Sequence, residues 1–305
     1  MSVLNFNCFT KLYNIEGSKQ SMITIEDIYY NDKPQEKKTH IHIESEIIED
    51  EYEELDIKIS KLRKKDDKKI IFAIDNDECI GSWADLSLLY LMLKREYGIE
   101  PEINMFVEIV EKTFCIRPYV RNFYDKLIKL KQSDIIHKIY MFTAASNSDG
   151  WVSYLCKVIE KWYGQPIYDG IINQEMIIEW HIKNKSNIFN NVGYIKNMHM
   201  ISHFFGLCKK KYHFIAIDDR PNNIINGDVI GVSPYKVAVN MITVVELFMP
   251  KNSEYLKRKY NDSLTESWND YKMNNKAFTN ASLDIDFLTS LEKIDKIILS
   301  LYTAK

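Results

Sequence analysis

The sequence predicts an α/β protein: a parallel sheet flanked by helices, with an N-terminal extension and a C-terminal helical segment. Strand-like and helix-like stretches alternate from residue 69 onward, the pattern that gives a parallel sheet covered on both faces. The strand candidates are short apolar runs, as fully buried strands are. Three of them run straight into polar side chains, at Asp75, at Thr143 and at the pair Asp218–Asp219. Sheets of this kind bind ligands beyond the carboxyl ends of their strands.

Taken in order, residues 1–66 stand apart. THIHIESEII (39–48) alternates apolar and polar residues at a strand-like period. EDEYEELDIKISKLRKKDDKK (49–69) is acidic and then basic, expected as a solvated helix or linker. A boundary near residue 66 gives an extension and charged linker (1–66), a central domain (67–250) and a helical segment (251–305). Residues 69–74 read as a buried strand. ADLSLLYLMLKREYG (84–98) reads as a helix closing on Gly98, and PEINMFVEIVEKTF (101–114) as another. RPYVRNFYDKLIKL (117–130) is a third, with Pro118 suited to its first turn. IIHKIYMFTAAS (135–146) holds the second strand, and DGWVSYLCKVIEKWYG (149–164) is a helix capped by Gly164. YHFIAIDDRPNNI (212–224) holds a third strand, and YKVAVN (235–240) reads as a fourth. LDIDFLTSLEKIDKIILSLY (283–302) is an amphipathic terminal helix. Its stripe, Leu288, Leu291, Ile294, Ile298 and Leu301, is expected to be core or a dimer face.

Composition narrows the class. Of 305 residues, 46% are apolar, enough for a real core, and the net charge is −3. That charge argues against a nucleic-acid polyelectrolyte. The basic runs 63–65 and 209–211 read as solvated faces. The five cysteines (8, 79, 115, 156 and 208) are odd in number and widely spaced, without a CxxC, which fits a reducing compartment. No stretch nears 18 uninterrupted apolar residues, and the N-terminus lacks a signal-peptide pattern. The expectation is a soluble intracellular protein of cytoplasm or nucleus, with no membrane partner.

KKIIFAIDNDECIGSW (68–83) poses the chemical question, since its strand ends in Asp75 and Asp77 with Glu78 behind. Carboxylates this close need a hard metal ion, a raised pKa, or plain solvent at a loop tip. Asp75 and Asp77 with Asp218 and Asp219 at one sheet edge call for a cation, and Mg2+ prefers such hard oxygen ligands. Phosphoryl transfer suits such a site: an aspartate can act as nucleophile, a second carboxylate as acid and then base. A hydroxyl such as Thr143 and a lysine would hold the phosphoryl oxygens.

Four stretches resemble a family. FAIDNDECIG is similar to the DxDx[TV] first motif of the haloacid dehalogenase-like (HAD) phosphatases. More narrowly, it resembles the DLDETL form of the NLI-interacting-factor-like group, the FCP/SCP C-terminal-domain phosphatases. IRPYVRNFYDKL resembles that group's RPGxxEFL segment, YMFTAASNSDGWVSYL its FTAS motif, and YIKNM with FIAIDDRPNNI its YxKDL and DNSP or DDSP motifs. The likeness covers roughly residues 68–240 with the motifs in order. It implies a HAD-like sheet and a Mg2+-dependent phosphomonoesterase. Asp75 would be nucleophile and metal ligand, and Asp77 the general acid/base, lending its backbone carbonyl to the metal. Thr143 and Lys196 would hold the phosphoryl group, and Asp219 would ligate metal with Asp218 beside it. The implied substrate is a phosphoserine or phosphothreonine protein; a small phosphomonoester, a nucleic-acid end and a catalytically silent binding module are the alternatives. Cys79, Gly81, Ala145, Asn197 and Arg220 depart from the motifs. The helical 82–116 shows no counterpart of the group's strand-rich flap, which puts peptide specificity in question.

Other residues have plainer readings. Cys79 is expected as a small buried hydrophobe. His199 and His203, four apart, lack a third ligand and read as surface or half-buried. Arg117 either contacts substrate or ties its helix to the sheet edge. Trp151, Tyr154, Trp162 and Tyr163 read as a packed helix face.

Overall fold

A computed structural model describes residues 68–265 and 284–303, apart from Ile99, Phe114, Val192 and Ala238. Five parallel strands form the central sheet: β1 (Lys69–Ile74), β2 (Ile136–Phe142), β3 (Gly170–Ile172), β4 (Tyr212–Asp218) and β5 (Asp228–Gly231). Their order is β3–β2–β1–β4–β5, so the chain reverses its direction across the sheet at β1. The crevice between β1 and β4 is therefore the switch point where such sheets bind ligands. The helices are α1 (Ala84–Tyr97), α2 (Ile103–Lys112), α3 (Val120–Gln132), α4 (Trp151–Tyr163), α5 (Gln174–Asn184), α6 (His199–Phe204), α7 (Met241–Phe248), α8 (Ser253–Lys259) and α9 (Asp286–Thr303). None is long and apolar enough to cross a membrane.

The central stretches of β1, β2 and β4 are apolar because they bury both faces, and each strand carries polar, half-buried residues near its start. Ile70, Phe72 and Ile74 of β1 face one core with Ile139 and Met141 of β2 and Ile215 and Ile217 of β4. Ile71, Ala73, Tyr140, Phe142, Phe214 and Ala216 face the other. The larger core takes in α1, α2, α3, α4 and α9, and the smaller takes in α5 and α6. Trp151, Tyr154 and Tyr163 are buried and Trp162 is half-buried, so these aromatics are core, as expected. The α9 stripe is core as well: Leu291, Ile294 and Ile298 are buried, and Leu288 and Leu301 pack against them.

Two readings of local structure are corrected. Residues 235–240 are not a strand. Tyr235, Val237 and Val239 are buried, so the alternation is real, but their backbone joins no ladder. Tyr235 N donates to Glu78 O at 2.7 Å and Val239 N to Asp85 Oδ2 at 2.7 Å. The sheet edge is β5 instead. Pro118 lies outside the first turn of α3, which starts at Val120 after Tyr119 at φ 61°. Helix cannot begin earlier because Ile116 bridges Gly81 and Arg117 N donates to Ile80 O at 3.0 Å. The strand-like stretch 39–48, nearly all of 49–69 and the boundary near residue 66 lie outside the described residues. Gly98 and Gly164 end α1 and α4 in the left-handed conformation, as read.

Ion pairs from two buried cations, Lys126 and Arg117, hold α9 and the residues just before it. Lys126 Nζ of α3 meets Asp295 Oδ1 at 2.9 Å, with both side chains buried. Arg117, 1% exposed, gives Nε to Asp284 at 2.8 Å, Nη2 to Asp286 at 2.9 Å and Nη1 to Cys79 O at 3.2 Å. Removing one partner strands the other charge away from water. Asp295→Ala should lower unfolding free energy by about 3–5 kcal/mol in urea titrations. A loss under about 1 kcal/mol would show that Lys126 reaches solvent in the variant.

Candidate functional site

Backbone register places the first carboxylates. Asp75 N donates to Ile217 O at 3.0 Å, which continues the Ile74–Ile217 pairing by one residue. Asp75 thus emerges beside Asp218, the last residue of β4. Lys196 comes from the two-residue strand Lys196–Asn197, paired in parallel with Ile224–Ile225. Its Nζ donates to Asp75 Oδ1 at 2.6 Å and to Asp218 Oδ2 at 2.7 Å. All three side chains are buried. Oxygens of Asp75, Asp218 and Asp219 lie within 4.8 Å of one another, a group that could hold a metal ion. Asp219 Oδ2 is buried and accepts no hydrogen bond; Arg220 Nε stands 3.5 Å away.

A tight loop sets the next carboxylate. Ile80 N donates to Asn76 O at 3.1 Å and Glu78 N to Gly81 O at 2.9 Å. Glu78 takes φ 58°, uncommon outside glycine. Gly81 is fixed by space: a Cβ there would lie 2.4 Å from Cys115 O and 2.6 Å from the Trp83 ring. The loop brings Asp77 to Thr143, whose Oγ1 donates to Asp77 Oδ2 at 3.3 Å and accepts from Ala145 N at 3.1 Å. The Asp77 carboxylate is not part of the three-aspartate group. At the lip, Arg220 Nη2 is 3.4 Å and Lys236 Nζ 3.2 Å from Glu78.

Burial dominates the titration of these groups. It pushes Asp75 well above the ordinary carboxylate range, against the pull of Lys196, with the charges of Asp218 and Asp219 adding to the rise. It also raises Asp77, opposed by Lys196 and the Thr143 hydrogen bond, and it raises Asp219. Burial works against the Lys196 ammonium, but Asp218 and Asp75 more than offset it and hold its pKa above the usual lysine value. At full ionisation five carboxylates face three cations, Lys196, Arg220 and Lys236. The two surplus negative charges are what one divalent cation neutralises.

The structure thus brings Asp75, Asp77, Thr143, Lys196, Asp218 and Asp219 to one edge. Lys183 and Lys185, the competing lysines, are exposed elsewhere on and after α5. Arg117 lies behind the loop, bonded to Cys79 O and α9, so it ties elements together. Cys79 is buried, and burial pushes its thiol well above the ordinary value, as a buried hydrophobe requires. His199 is half-buried and His203 exposed, with no metal group about them among the described residues. Two contributors were not legible. Lys236 arrives from far along the chain. His181, fully buried on α5, bonds Ser186 Oγ and Ile195 O at 2.8 Å each, and so braces the residue before Lys196. A lone histidine on a helix gives no sequence signal.

Compared with models of known protein families the chain matches none, and no curated protein matches it.

Groups whose folded-state pKa is raised bind protons more tightly in the folded chain. Their stabilisation is complete below the ordinary carboxylate value, about pH 4, and is lost as pH rises through the raised values. The melting temperature in EDTA should fall from about pH 5 toward neutrality, more steeply in wild type than in Asp75→Asn. A divalent cation at about 100 times its Kd should return roughly 2.7 kcal/mol at neutral pH. Equal slopes in the two proteins would remove Asp75 from the titrating set.

Proposed function

We propose that the chain is a Mg2+-dependent phosphomonoesterase of HAD-like fold that works through an aspartyl-phosphate on Asp75. One observation carries the reading: a buried lysine bridges two aspartates at the switch point, while an oxygen of a third aspartate is left without a hydrogen bond. That oxygen meets only the Arg220 guanidinium, at 3.5 Å, which leaves a hard-oxygen vertex open to a cation. The motif resemblance and the position of Thr143 support the same conclusion.

Asp75, Asp218 and Asp219 would hold the Mg2+ ion, which when bound neutralises the cluster and the phosphoryl oxygens. An Asp75 carboxylate oxygen attacks phosphorus, and the bond from phosphorus to the leaving oxygen breaks. Asp77 gives that oxygen its proton; its raised pKa is the direction a general acid needs. Water then attacks phosphorus and yields its proton to Asp77. The bond to Asp75 breaks and inorganic phosphate leaves. Thr143 Oγ1 donates to a phosphoryl oxygen, and Lys196 offsets its charge.

The substrate proposed first is a phosphoserine or phosphothreonine protein. A small phosphomonoester is the second reading, and one observation favours it. The described part of residues 82–116 forms two helices, α1 and α2, packed into the larger core, with no strand-rich flap among them. The run 209–211 does not serve this site, because it precedes β4 at the opposite sheet edge.

Hydrolysis of p-nitrophenyl phosphate, with Mg2+ and with EDTA, tests the reading. Activity should require Mg2+ and fall by roughly 10³-fold or more in Asp75→Asn, about 4 kcal/mol of barrier. Activity retained in that variant would overturn the mechanism. Inactive, folded wild-type protein on both this ester and a phosphopeptide panel would favour the silent module. Asp219→Ala should shift the Mg2+ titration to higher concentration; an unchanged midpoint would remove Asp219 from the ligands.

A further inference from the structure

The parallel pairing of the strands sorts charge. The carboxylates collect at the carboxyl edge of the sheet, and lysines collect at the other. Lys69 opens β1 beside Tyr212 of β4, and Lys138 of β2 pairs with Ile71. Lys209, Lys210 and Lys211 form the turn that leads into β4, and all three are exposed. Three acidic residues described here are already engaged. Asp134 holds Lys69 at 2.7 Å, Asp169 holds Lys131 at 2.6 Å with Lys138 at 3.7 Å, and Asp228 holds His213 at 2.8 Å. Among the described residues, none of Lys68, Lys209, Lys210 and Lys211 has an ion-pair partner. Four lysines at one edge thus stand without an ion-pair partner among the described residues of a chain of net charge −3. The other basic run, 63–65, precedes this edge in sequence and lies outside the described residues.

An aromatic pair sits among these cations. His137 and Tyr212 stack with ring centroids 5.1 Å apart and planes 16° from parallel. Burial, then Lys69 and Lys138, lower the His137 pKa. The lowering favours the uncharged ring.

We infer that this edge binds the backbone of a single-stranded polynucleotide, with phosphates on Lys209–Lys211 and Lys68 and a base against the His137–Tyr212 pair. Cations that follow a backbone and rings that accept a base face are the two features such binding uses. A duplex exposes no base faces. Anchoring in an anionic membrane would call for apolar side chains to insert, and the exposed large hydrophobics of the described residues belong to other segments. The edge lies about 20 Å from the carboxylates, the length of β1 at roughly 3.3 Å per residue. The inference therefore stands whether or not that site turns over phosphoesters.

Fluorescence anisotropy of a labelled oligo(dT) of about 20 nucleotides lacking terminal phosphate, titrated with the full chain in EDTA, tests it. Affinity should fall with salt, by a log–log slope of about −0.7 for each phosphate neutralised. Replacing Lys209, Lys210 and Lys211 together by Glu should weaken binding at least about tenfold at low salt and flatten the slope by about 2. Tyr212→Ala should weaken it severalfold with the slope kept. Melting curves check the fold, and if the Glu triple melts early, the same triple change to Gln decides. No binding by wild type, equal binding by the triple variant, or binding only to phosphatidylserine vesicles would each overturn the proposal.

Discussion

The Lys196 ammonium lets three aspartates sit together away from water. Oxygens of Asp75, Asp218 and Asp219 lie within 4.8 Å of one another and are buried. At low local dielectric their repulsion would force them apart or keep them protonated. Nζ reaches the first two at 2.6 and 2.7 Å. The same contact joins β1 and β4 to the short strand at 196–197, which is paired to 224–225 and braced by His181 through Ile195. The position of the segment between α5 and α6 is therefore coupled to the charge state of the sheet edge. A cation there would take over part of the lysine's electrostatic work.

Much of this was legible because the physics is local. Runs rich in apolar residues gave β1, β2 and β4, and Gly98 and Gly164 marked where α1 and α4 stop. The strand ends then put Asp75, Thr143 and Asp218 on one edge. What could not be read depends on distant partners. β3 has three residues and β5 four, too short to show a period. The alternation of 235–239 is that of a half-buried extended chain, yet its donors are taken by Glu78 O and Asp85. Pattern reports which side chains are buried; it does not report which backbone accepts the bond. Lys196 shows the same division. Motif order singled it out from Lys183 and Lys185, but only the fold shows that it bridges two carboxylates.

The strand direction also orders the electrostatics. Parallel strands put every carboxyl end on one side, so acidic residues after β1 and β4 add up. Lysines before those strands add up on the other side. An antiparallel arrangement would have mixed the two.

Arg117 reaches forward 167 and 169 residues to Asp284 and Asp286 and back to the carbonyl of Cys79, two residues past Asp77. Its guanidinium lies 5.5 Å from the rings of Tyr235 and Phe287. During synthesis its carboxylate partners emerge long after it. Until then the nascent chain carries a cation destined for the interior with no carboxylate to meet it, and the loop that carries Asp77 lacks its backing. At about 5–20 residues per second, that interval lasts roughly ten to thirty seconds. The growing polypeptide therefore holds the carboxylates and the lysine of the edge before the Arg117 tie can form. The buried guanidinium gains its carboxylates only when Asp284 and Asp286 arrive.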